Sequence, residues 1–363
     1  MTDERVLVAV ASFVASLVLV LIWLRIGGRS LGGLFGSSGL LAIPNERSFH
    51  TNPKLTSGGV AIVIPILGVM AVNAWYGVVW AGWLALACAG VALLGLLDDA
   101  LNLPARWRLP VQGICVALAL FCAGGLAEVD AERSAGALGG VVVVITALGL
   151  LWFLNLYNFM DGIDGLAASQ ACCYSLAIAL YPVGDFGWLV GLAWSVFASN
   201  LAFLAFNWAP ARLFMGDVGS AFLGLLLGVL AVKFAQAQAV PLVASLVLLS
   251  GFWFDASYTL CVRIITGQRF TEGHRSHLYQ KLAARFGHGR TTMGYVLFNL
   301  LWLWPLAYVS ALSAQRATQA WAGVAWCIIA CVPLAIGCWR LRAGQPGADT
   351  VNELPDQAGE DAQ

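Results

Sequence analysis

Apolar runs separated by short polar segments dominate the pattern of this chain. A helix needs about 20 apolar residues to cross a bilayer core about 30 Å thick, because each residue adds only about 1.5 Å. About eleven runs approach or exceed that length, at residues 5–24, 58–76, 79–97, 110–127, 138–157, 165–182, 186–206, 218–236, 240–262, 293–312 and 319–339. The pattern predicts an all-α polytopic integral membrane protein with about eleven transmembrane helices.

The composition supports the same class of protein. Hydrophobic residues make up 60% of the chain and charged residues 10%, with a mean hydropathy of +0.82. An ordinary soluble domain carries about 25% charged residues, so a soluble fold is excluded. The core of the first run, Val6–Trp23, has no small-residue cleavage site behind it, which favours a retained helix over a signal peptide. The net charge is zero, so no nucleic-acid partner is expected.

The positive charges divide unevenly when successive loops are assigned to alternate sides of the membrane. Placing the loop after the first helix in the cytoplasm puts fifteen Lys and Arg residues inside and four outside. Because cytoplasmic loops are enriched in these residues, the N-terminus is predicted outside and the C-terminus in the cytoplasm. The inside loops, which are longer and chemically richer, are 25–57, 98–109, 158–164, 207–217 and 263–292. This asymmetry favours an enzyme that works at one leaflet.

Acidic residues stand at three ends of the apolar runs. Asp98 and Asp99 close one run. Asp161 and Asp164 follow another, and Asp217 lies in a short polar loop. A charged side chain at the centre of a membrane helix costs about 2.5–3.5 kcal/mol, so acids beside such runs are functional candidates. The sequence predicts one polar site, assembled from several loops on the cytoplasmic face.

The segment from Asn155 to Gly165 carries amides and carboxylates at regular spacing. Asn155, Asn158 and Asp161 recur every three residues, so on a helix they project to similar sides. Their oxygen atoms are hard ligands suited to Mg²⁺, and Gly162 and Gly165 would let the backbone approach a phosphate closely. The alternative is a simple turn between two helices, but the cost of acids between apolar runs favours a functional role.

Asp98 and Asp99 have two interpretations. Adjacent carboxylates can bind a metal or accept a proton, and their mutual repulsion tends to raise the pKa of one of them. In the other interpretation they anchor a solvated loop through Arg106 and Arg108. The pair alone favours neither.

Two further polar segments carry candidate chemistry. Asp217 directly precedes a long apolar helix, where a carboxylate either complements the helix dipole or holds a cation. The longest basic loop contains His274, Arg275 and His277, without a Cys or acidic residue at a spacing suited to zinc. A loop that grips pyrophosphate is favoured over one whose charges only hold it in the cytoplasm.

Five segments together resemble the polyprenyl-phosphate N-acetylhexosamine-1-phosphate transferases, the glycosyltransferase 4 family. The resemblance covers residues from about 43 to 290 and is most specific in two motifs. These are Asn-x-x-Asn-x-x-Asp-Gly-x-Asp-Gly from Asn155 and Phe-Met-Gly-Asp-x-Gly-Ser from Phe214. The segments Asn-Glu-Arg-Ser-x-His from Asn45 and His-Arg-Ser-His-x-Tyr-Gln from His274 are similar to the branch that starts O-antigen or related surface glycans. That branch often uses 6-deoxy-HexNAc donors.

The resemblance implies roles for the candidate residues. Asp217 would be the principal Mg²⁺ ligand and Asn158 a second, with Mn²⁺ as an alternative ion. Asp98 or Asp99 would deprotonate or position the lipid phosphate. Two further acids counted as catalytic, Asp161 and Asp164, would contact the nucleotide side of the donor. The remaining donor contacts are His274, Arg275 and His277 for the sugar-diphosphate, and Asn207 and Phe214 for the uracil.

One position departs from the family pattern. Relatives usually carry a basic residue before the paired glycines, where this chain has Ser57. That departure puts a phosphate contact from this position in doubt, and Lys54 or Arg47 is the alternative source of such a contact.

The resemblance further implies transfer of HexNAc-1-phosphate from UDP-N-acetylhexosamine to undecaprenyl phosphate, giving polyprenyl-pyrophosphate-HexNAc and UMP. Direct attack is favoured over a covalent aspartyl intermediate, because the acceptor phosphate is already anionic at neutral pH. The expected location is the bacterial inner membrane, with a multi-pass chain, a cytoplasmic active site and a homodimer as the candidate assembly. Residues 1–342 would form a single transferase domain, and 343–363 a disordered polar tail.

A transporter or lipid flippase is the principal alternative, since many helices with intramembrane acids would suit ion coupling. Transporters tend to place such acids near the membrane midplane and to show internal repeats, whereas here the acids cluster at one edge and no repeat is visible. A phosphotransferase of the CDP-alcohol type would need an Arg after the Asp-Gly pair, and the segment that begins at Asp161 lacks it.

Overall fold

The computed structural model describes residues 3–26, 41–42, 54–122, 137–181, 187–268, 274–316 and 320–345. The first helices in this part of the chain are α1 (Asp3–Ile26), α2 (Val60–Trp75), α3 (Val79–Leu101), α4 (Ala105–Cys122), α5 (Ala137–Phe159), α6 (Leu166–Leu180) and α7 (Gly187–Asn207). They are followed by α8 (Asp217–Gln236), α9 (Leu242–Leu248), α10 (Ser250–Ile265), α11 (Leu278–Phe286), α12 (His288–Phe298), a π-helical turn (Asn299–Leu303), α13 (Trp304–Arg316) and α14 (Ala320–Arg340).

The described helices fit a multi-pass membrane protein. Seven segments are long and apolar enough to cross a membrane, and the bent pair α9 and α10 makes an eighth if it is one span. Two further apolar helices, α2 and α6, are shorter. Each of the predicted apolar runs contains helix. The helical membrane class is therefore confirmed, whereas the number eleven and the orientation of the termini stay predictions.

The predicted span 240–262 is broken rather than straight. The axes of α9 and α10 differ by 70°. Side chains satisfy carbonyl groups near the break: the Ser250 hydroxyl donates to the Val247 oxygen at 2.7 Å, and the Trp253 indole donates to the Leu246 oxygen at 2.8 Å. Capping of this kind lets a helix end inside an apolar environment without orphaned backbone groups.

Two predicted loops contain regular structure. The loop 263–292 holds α11 and the beginning of α12, which are separated by Gly287 at φ +81°. The loop 25–57 contributes two short antiparallel strands, β1 (Leu41–Ala42) and β2 (Lys54–Leu55), which the all-α prediction did not include. The rest of that loop, including Arg47, lies outside the described residues.

Helix α8 is the buried centre of the bundle, and almost its whole length is enclosed by other helices. It packs against α3 on one side and α5 on another. A Cβ atom at Gly224 of α8 would lie 2.8 Å from the Leu154 Cα atom of α5, so these two helices approach closely only because this position is glycine. The outer helices α1, α5 and α14 leave most of their apolar surface exposed, as expected for lipid-facing spans.

Candidate active site

The ends of α3, α5 and α8 meet at one point. Gly95 of α3 lies against the backbone of Asp217 and Val218, where any side chain would collide with the start of α8. This contact places Asp98 and Asp99, at the end of α3, beside the first turn of α8. The predicted convergence of these two acidic segments is therefore present in the structure.

Asp99 holds the beginning of α8. One carboxylate oxygen accepts a hydrogen bond from the backbone N–H of Asp217 at 2.8 Å, and the other lies 3.4 Å from the N–H of Val218. The Ser57 hydroxyl donates to the same carboxylate at 2.8 Å. A carboxylate at a helix N-terminus satisfies free N–H groups and complements the helix dipole. Ser57, the position that departs from the family pattern, is thus a partner of Asp99.

Arg108 contacts both Asp98 and Asp217. Its guanidinium forms an ion pair with Asp98 and lies 3.4 Å from the carboxylate of Asp217. Asp98 also accepts a hydrogen bond from the Leu103 N–H at 2.7 Å, which fixes the turn after α3. Asp98 is buried, whereas the side chains of Arg108 and Asp217 are about one-third exposed. The exposed groups are therefore the ones open to a ligand.

Asn158 connects the end of α5 to the same point. Its amide nitrogen donates to Asp217 at 3.3 Å, and its amide oxygen accepts a hydrogen bond from Ser220. The described part of the chain has no group of three His, Cys, Asp or Glu side chains arranged to hold a metal. Mg²⁺ is commonly bound by one or two carboxylates together with substrate phosphates, so the Asp217 carboxylate fits such an ion, and Asn158 fits once its amide is rotated to turn the oxygen rather than the nitrogen toward Asp217.

Asp161 lies in the loop after α5, close enough to Asp99 and Asp164 for their charges to act on it. Burial, with these two carboxylates, raises the pKa of Asp161 well above its usual range. The Tyr279 ring packs directly on Gly162, so that a side chain at position 162 would collide with the ring. The Tyr279 hydroxyl donates to the Phe159 carbonyl at 2.9 Å. Helix α11 therefore packs against the Asp161 loop.

Asp164 and Asn207, predicted as donor contacts, make bonds between segments of the protein. Asp164 accepts a hydrogen bond from the Ala211 N–H at 2.9 Å, and its other oxygen lies 3.3 Å from the His288 ring. The Asn207 amide accepts from the Gly165 N–H at 3.1 Å and donates to the Leu213 carbonyl at 2.9 Å. Both side chains are buried. They tie the loop after α5 to the loop before α8.

Phe214 lies at the edge of a small backbone ladder. Its N–H donates to the Leu55 carbonyl at 2.9 Å, and its carbonyl accepts from the Gly58 N–H at 2.9 Å. The ring is half-buried. These bonds attach the segment that contains Ser57 to the loop before α8. The side chain of Lys54, the proposed alternative phosphate contact, lies outside the described residues.

His274 and His277 precede α11 with their rings 4.8 Å apart. His277 is buried at the helix N-terminus, His274 is half-buried, and Arg275 between them is exposed. Burial, with the Arg263 guanidinium, lowers the pKa of His274 to about 4. Burial, with the charges of His274 and Arg263, lowers the pKa of His277 to about 3. Both rings are therefore neutral at physiological pH, and a neutral imidazole has one N–H donor.

A groove of about 700 Å³ connects the histidines with Arg108. One wall comes from α4, α5 and α10 and is apolar, including Leu109, Leu148, Leu151, Trp152 and Leu260. The polar residues of the lining are Arg108, Asn155, His274, His277 and Gln280. The groove therefore brings together apolar surface, the Arg108 guanidinium and residues 274–277, the histidine segment. Arg108 in turn contacts Asp98 and Asp217.

Sequence reasoning missed three residues that shape this site. Arg108 was assigned only a possible anchoring role, although it reaches both Asp98 and Asp217. Asp255, a lone acid inside the apolar run 240–262, was passed over although the cost of intramembrane charge marks such a residue. Tyr279 gave no separate signal, because its role depends on a contact with Phe159 far along the chain.

Comparisons with known proteins show which family and which relatives the sequence resembles. The sequence model of Glycosyl transferase family 4 matches residues 80–235. A probable undecaprenyl-phosphate N-acetylglucosaminyl 1-phosphate transferase of Bacillus subtilis is 27% identical over 86% of this chain and 88% of its own length. A decaprenyl-phosphate N-acetylglucosaminephosphotransferase of Mycobacterium tuberculosis is 26% identical over 76% of each chain. A phospho-N-acetylmuramoyl-pentapeptide-transferase of Moorella thermoacetica is 31% identical over 62% of this chain and 72% of its own.

The fold and the site define a multi-pass helical membrane protein whose carboxylates meet at helix ends beside an apolar groove. The matched segment covers α3, α5, the loop after α5 and α8, which together carry all the acidic candidates. The chain belongs to glycosyl transferase family 4, and the resemblance inferred from its motifs is confirmed.

Proposed function

We propose that this protein transfers HexNAc-1-phosphate from a UDP-HexNAc donor to undecaprenyl phosphate at the cytoplasmic face of a bacterial inner membrane. The observation that carries the proposal is the groove of about 700 Å³, which joins an apolar wall to Arg108 and the histidine segment. An acceptor with a long isoprenoid chain and a phosphate head needs both environments in one channel. The names of relatives from Bacillus and Mycobacterium, which specify polyprenyl-phosphate acceptors, support the same chemistry.

The acceptor is assigned to the apolar side of the groove. Leu148, Leu151 and Leu260 supply apolar surface for the isoprenoid, and Arg108 lies where its phosphate would end. Arginine pairs well with phosphate because its planar guanidinium can offer two parallel N–H donors. Asp98 holds the guanidinium through an ion pair and thereby orients it toward the groove.

The donor is assigned to the polar residues of the groove other than Arg108. His274, His277 and Gln280 line the groove, and the exposed Arg275 stands between the two histidines. Neutral imidazoles can donate to phosphate oxygens without adding charge, and the arginine supplies the compensating positive charge. Asp161, in the loop after α5 and close enough to Asp99 for its charge to act on it, is assigned to the donor as well.

Magnesium is assigned to the oxygen atoms of Asp217 and Asn158. When bound, such an ion would offset negative charge on the diphosphate of the donor and on the departing UMP. Asp217 is suited to this role because its carboxylate is partly exposed and its contacts with Asn158 and Arg108 are long, at 3.3 and 3.4 Å.

The reaction makes one phosphorus–oxygen bond and breaks one. An oxygen of the lipid phosphate attacks the β-phosphorus of UDP-HexNAc, and the bond from that phosphorus to the oxygen of the α-phosphate breaks. The products are polyprenyl-pyrophosphate-HexNAc and UMP. The attacking phosphate is already an anion, so the protein has to orient it and balance its charge rather than remove a proton. Arg108 is placed to do both, and Asp98 holds its guanidinium in position.

We further propose that the product starts a surface glycan of the O-antigen type and that the donor carries a 6-deoxy-HexNAc as its sugar. This part of the proposal rests on the segments that begin at Asn45 and His274. The names of the compared relatives from Bacillus and Mycobacterium specify N-acetylglucosamine, so UDP-N-acetylglucosamine is the necessary comparison donor.

The test is UMP release by the purified protein with undecaprenyl phosphate, Mg²⁺ and a panel of UDP-HexNAc donors. We expect UMP release to require both lipid and metal. The rate should fall at least a hundredfold in Asp217→Asn, because loss of a principal electrostatic contact has an effect of that size. A matched control is Glu4→Gln, which removes an exposed carboxylate from α1 and should leave the rate unchanged. A folded protein that releases no UMP from any donor would overturn the proposal.

A further inference from the structure

The position of the histidine segment 274–277 is fixed by Asp255, through the residues that follow the segment. This side chain belongs to α10 and is fully buried. Its carboxylate accepts hydrogen bonds from the backbone N–H groups of Leu278 at 2.9 Å and Tyr279 at 3.0 Å. The Tyr295 hydroxyl donates to it at 3.0 Å. Asp255 therefore caps α11 from a neighbouring helix and sets where that helix begins.

The position of His277 follows directly from this cap. His277 immediately precedes the capped residues, and its Nδ1 atom lies 3.9 Å from the Asp255 carboxylate. Its backbone N–H donates to the Gln280 side chain at 3.2 Å, which closes the first turn of α11. A shift in the cap would therefore move His277 and Gln280 together, and both line the groove.

A second anchor comes from the turn after the last helix. The N–H of Gly344 donates to the Ser276 carbonyl at 2.9 Å, inside the histidine segment. The Gln268 side chain donates to the Gly344 carbonyl at 2.9 Å and accepts a hydrogen bond from Arg263 at 2.8 Å. The turn thus links the histidine segment to the end of α10.

Gly344 is required by the geometry of this turn. Its φ of +78° is a conformation that favours glycine. A Cβ atom would also lie 2.7 Å from both the Thr259 carbonyl oxygen and the Val262 Cβ atom of α10. Beside it, Ala343 is buried with Leu278, the first residue of α11. The ordered turn reaches Gln345, two residues beyond the predicted start of the disordered tail. Residues 346–363 lie outside the described part of the chain.

We infer that Asp255 and Gly344 are positioning residues for the nucleotide-sugar donor. The inference rests on the proposed function of His274 and His277. Neither positioning residue lines the groove. Together they fix the histidine segment on two sides, so that its phosphate-binding groups are in place before the donor arrives. Preorganisation of this kind raises affinity, because less freedom is lost on binding.

The inference separates the two substrates. Arg108 and the apolar wall, apart from Leu260 of α10, belong to α4 and α5, and the hydrogen bonds described above for Asp255 and Gly344 reach none of α3, α4 or α5. Loss of an anchor should therefore weaken donor binding and leave acceptor binding unchanged. A general loss of folding would instead lower the amount of active enzyme. The apparent kcat would then fall, and both KM values would be unchanged.

The experiment compares Asp255→Asn, Gly344→Ala and Gln268→Ala in the full chain. Gly77→Ala is the matched control. Gly77 also has a positive φ, at +93°, but a side chain there would meet open space, and the residue lies after the C-terminal end of α2. KM for UDP-N-acetylglucosamine, or for the best donor found, and KM for undecaprenyl phosphate are measured separately. Donor affinity without acceptor is measured by calorimetry.

The expected result is about a tenfold rise in donor KM and a matching loss of donor affinity in the three anchor variants. Acceptor KM should change less than twofold, and Gly77→Ala should match the wild type. If the wild type releases UMP but donor KM is unchanged in folded Gly344→Ala and Gln268→Ala, the inference is wrong. These two variants decide the matter if Asp255→Asn does not fold. A wild type that releases no UMP would instead count against the proposed function.

Discussion

The carboxylate of Asp99 accepts a hydrogen bond from the backbone N–H of Asp217 at 2.8 Å. One member of the acidic pair at the end of α3 therefore holds the helix that begins with another acidic candidate. The other member, Asp98, pairs with Arg108 and faces the groove through it. Neighbouring carboxylates thus have different surroundings, which implies different effects on substitution.

Asp99→Asn should lower both stability and activity. The variant loses the charged cap of α8 and keeps only part of its contact with Ser57. Removal of such a cap typically costs about 1 kcal/mol. We expect a lower unfolding temperature in detergent together with reduced UMP release. Asp217→Asn should reduce UMP release with little change in unfolding temperature. Equal unfolding temperatures for wild type and Asp99→Asn would contradict the capping role.

Arg108→Gln should raise KM for the lipid acceptor more than KM for the donor. The substitution removes the guanidinium that lies between Asp98 and the groove, and a charge-assisted hydrogen bond is worth about 1.5–3 kcal/mol. We expect acceptor KM to rise by at least tenfold, with Arg108→Lys intermediate because it keeps the charge but loses the planar fork. Arg290→Gln on α12 is a control outside this groove. An effect confined to donor KM would contradict the assignment.

Gly95→Ala should disrupt the site although it removes no functional group. The new methyl group would meet the backbone of Asp217, so α3 and α8 would have to move apart. We expect loss of UMP release and a destabilisation of about 1–3 kcal/mol, typical of overpacking. Gly113→Ala provides the control, because that position on α4 has open space. Wild-type activity in Gly95→Ala would show that the close helix contact is not needed.

Acid should destabilise the protein partly through His277. Burial and neighbouring charges lower its folded-state pKa to about 3, below the ordinary value of about 6.5. The neutral ring therefore stabilises the fold above pH 6.5, and this contribution is lost as pH falls from there toward 3. Each pH unit costs about 1.4 kcal/mol in this range. Unfolding temperatures of His277→Gln should fall less between pH 7 and pH 5 than those of the wild type. Parallel curves would refute the prediction.

Removal of divalent ions should abolish UMP release, and Mg²⁺ or Mn²⁺ should restore it. Asn158→Ala should need about tenfold more Mg²⁺ for half-maximal rate, because one of two protein oxygen donors is lost. The control is Asn73→Ala, whose amide on α2 bonds its own helix carbonyl at Val69. Full activity in the presence of a strong chelator would overturn the assignment of the metal.

The sequence alone determined the class of the protein and its family. Apolar length and composition specify membrane helices because the requirement for about 20 apolar residues acts on each segment separately. The motifs that start at Asn155 and Phe214 identify the family because they are contiguous in the chain. The convergence of Asp99 and Asp217 was also expected, since both close or open apolar runs on one predicted face.

The tertiary structure decided what each polar group contacts. The Asp99 carboxylate meets an amide 118 residues away, and Asp255 caps a helix that begins 23 residues later. The break of 70° between α9 and α10 and the turn at Gly344 likewise have no counterpart in the hydrophobic pattern. Such contacts depend on how closely helices approach, and that distance is set by side-chain volume at positions such as Gly95 and Gly224. A pattern of polar and apolar residues does not encode that distance, because it records the character of each position and not its neighbours in space.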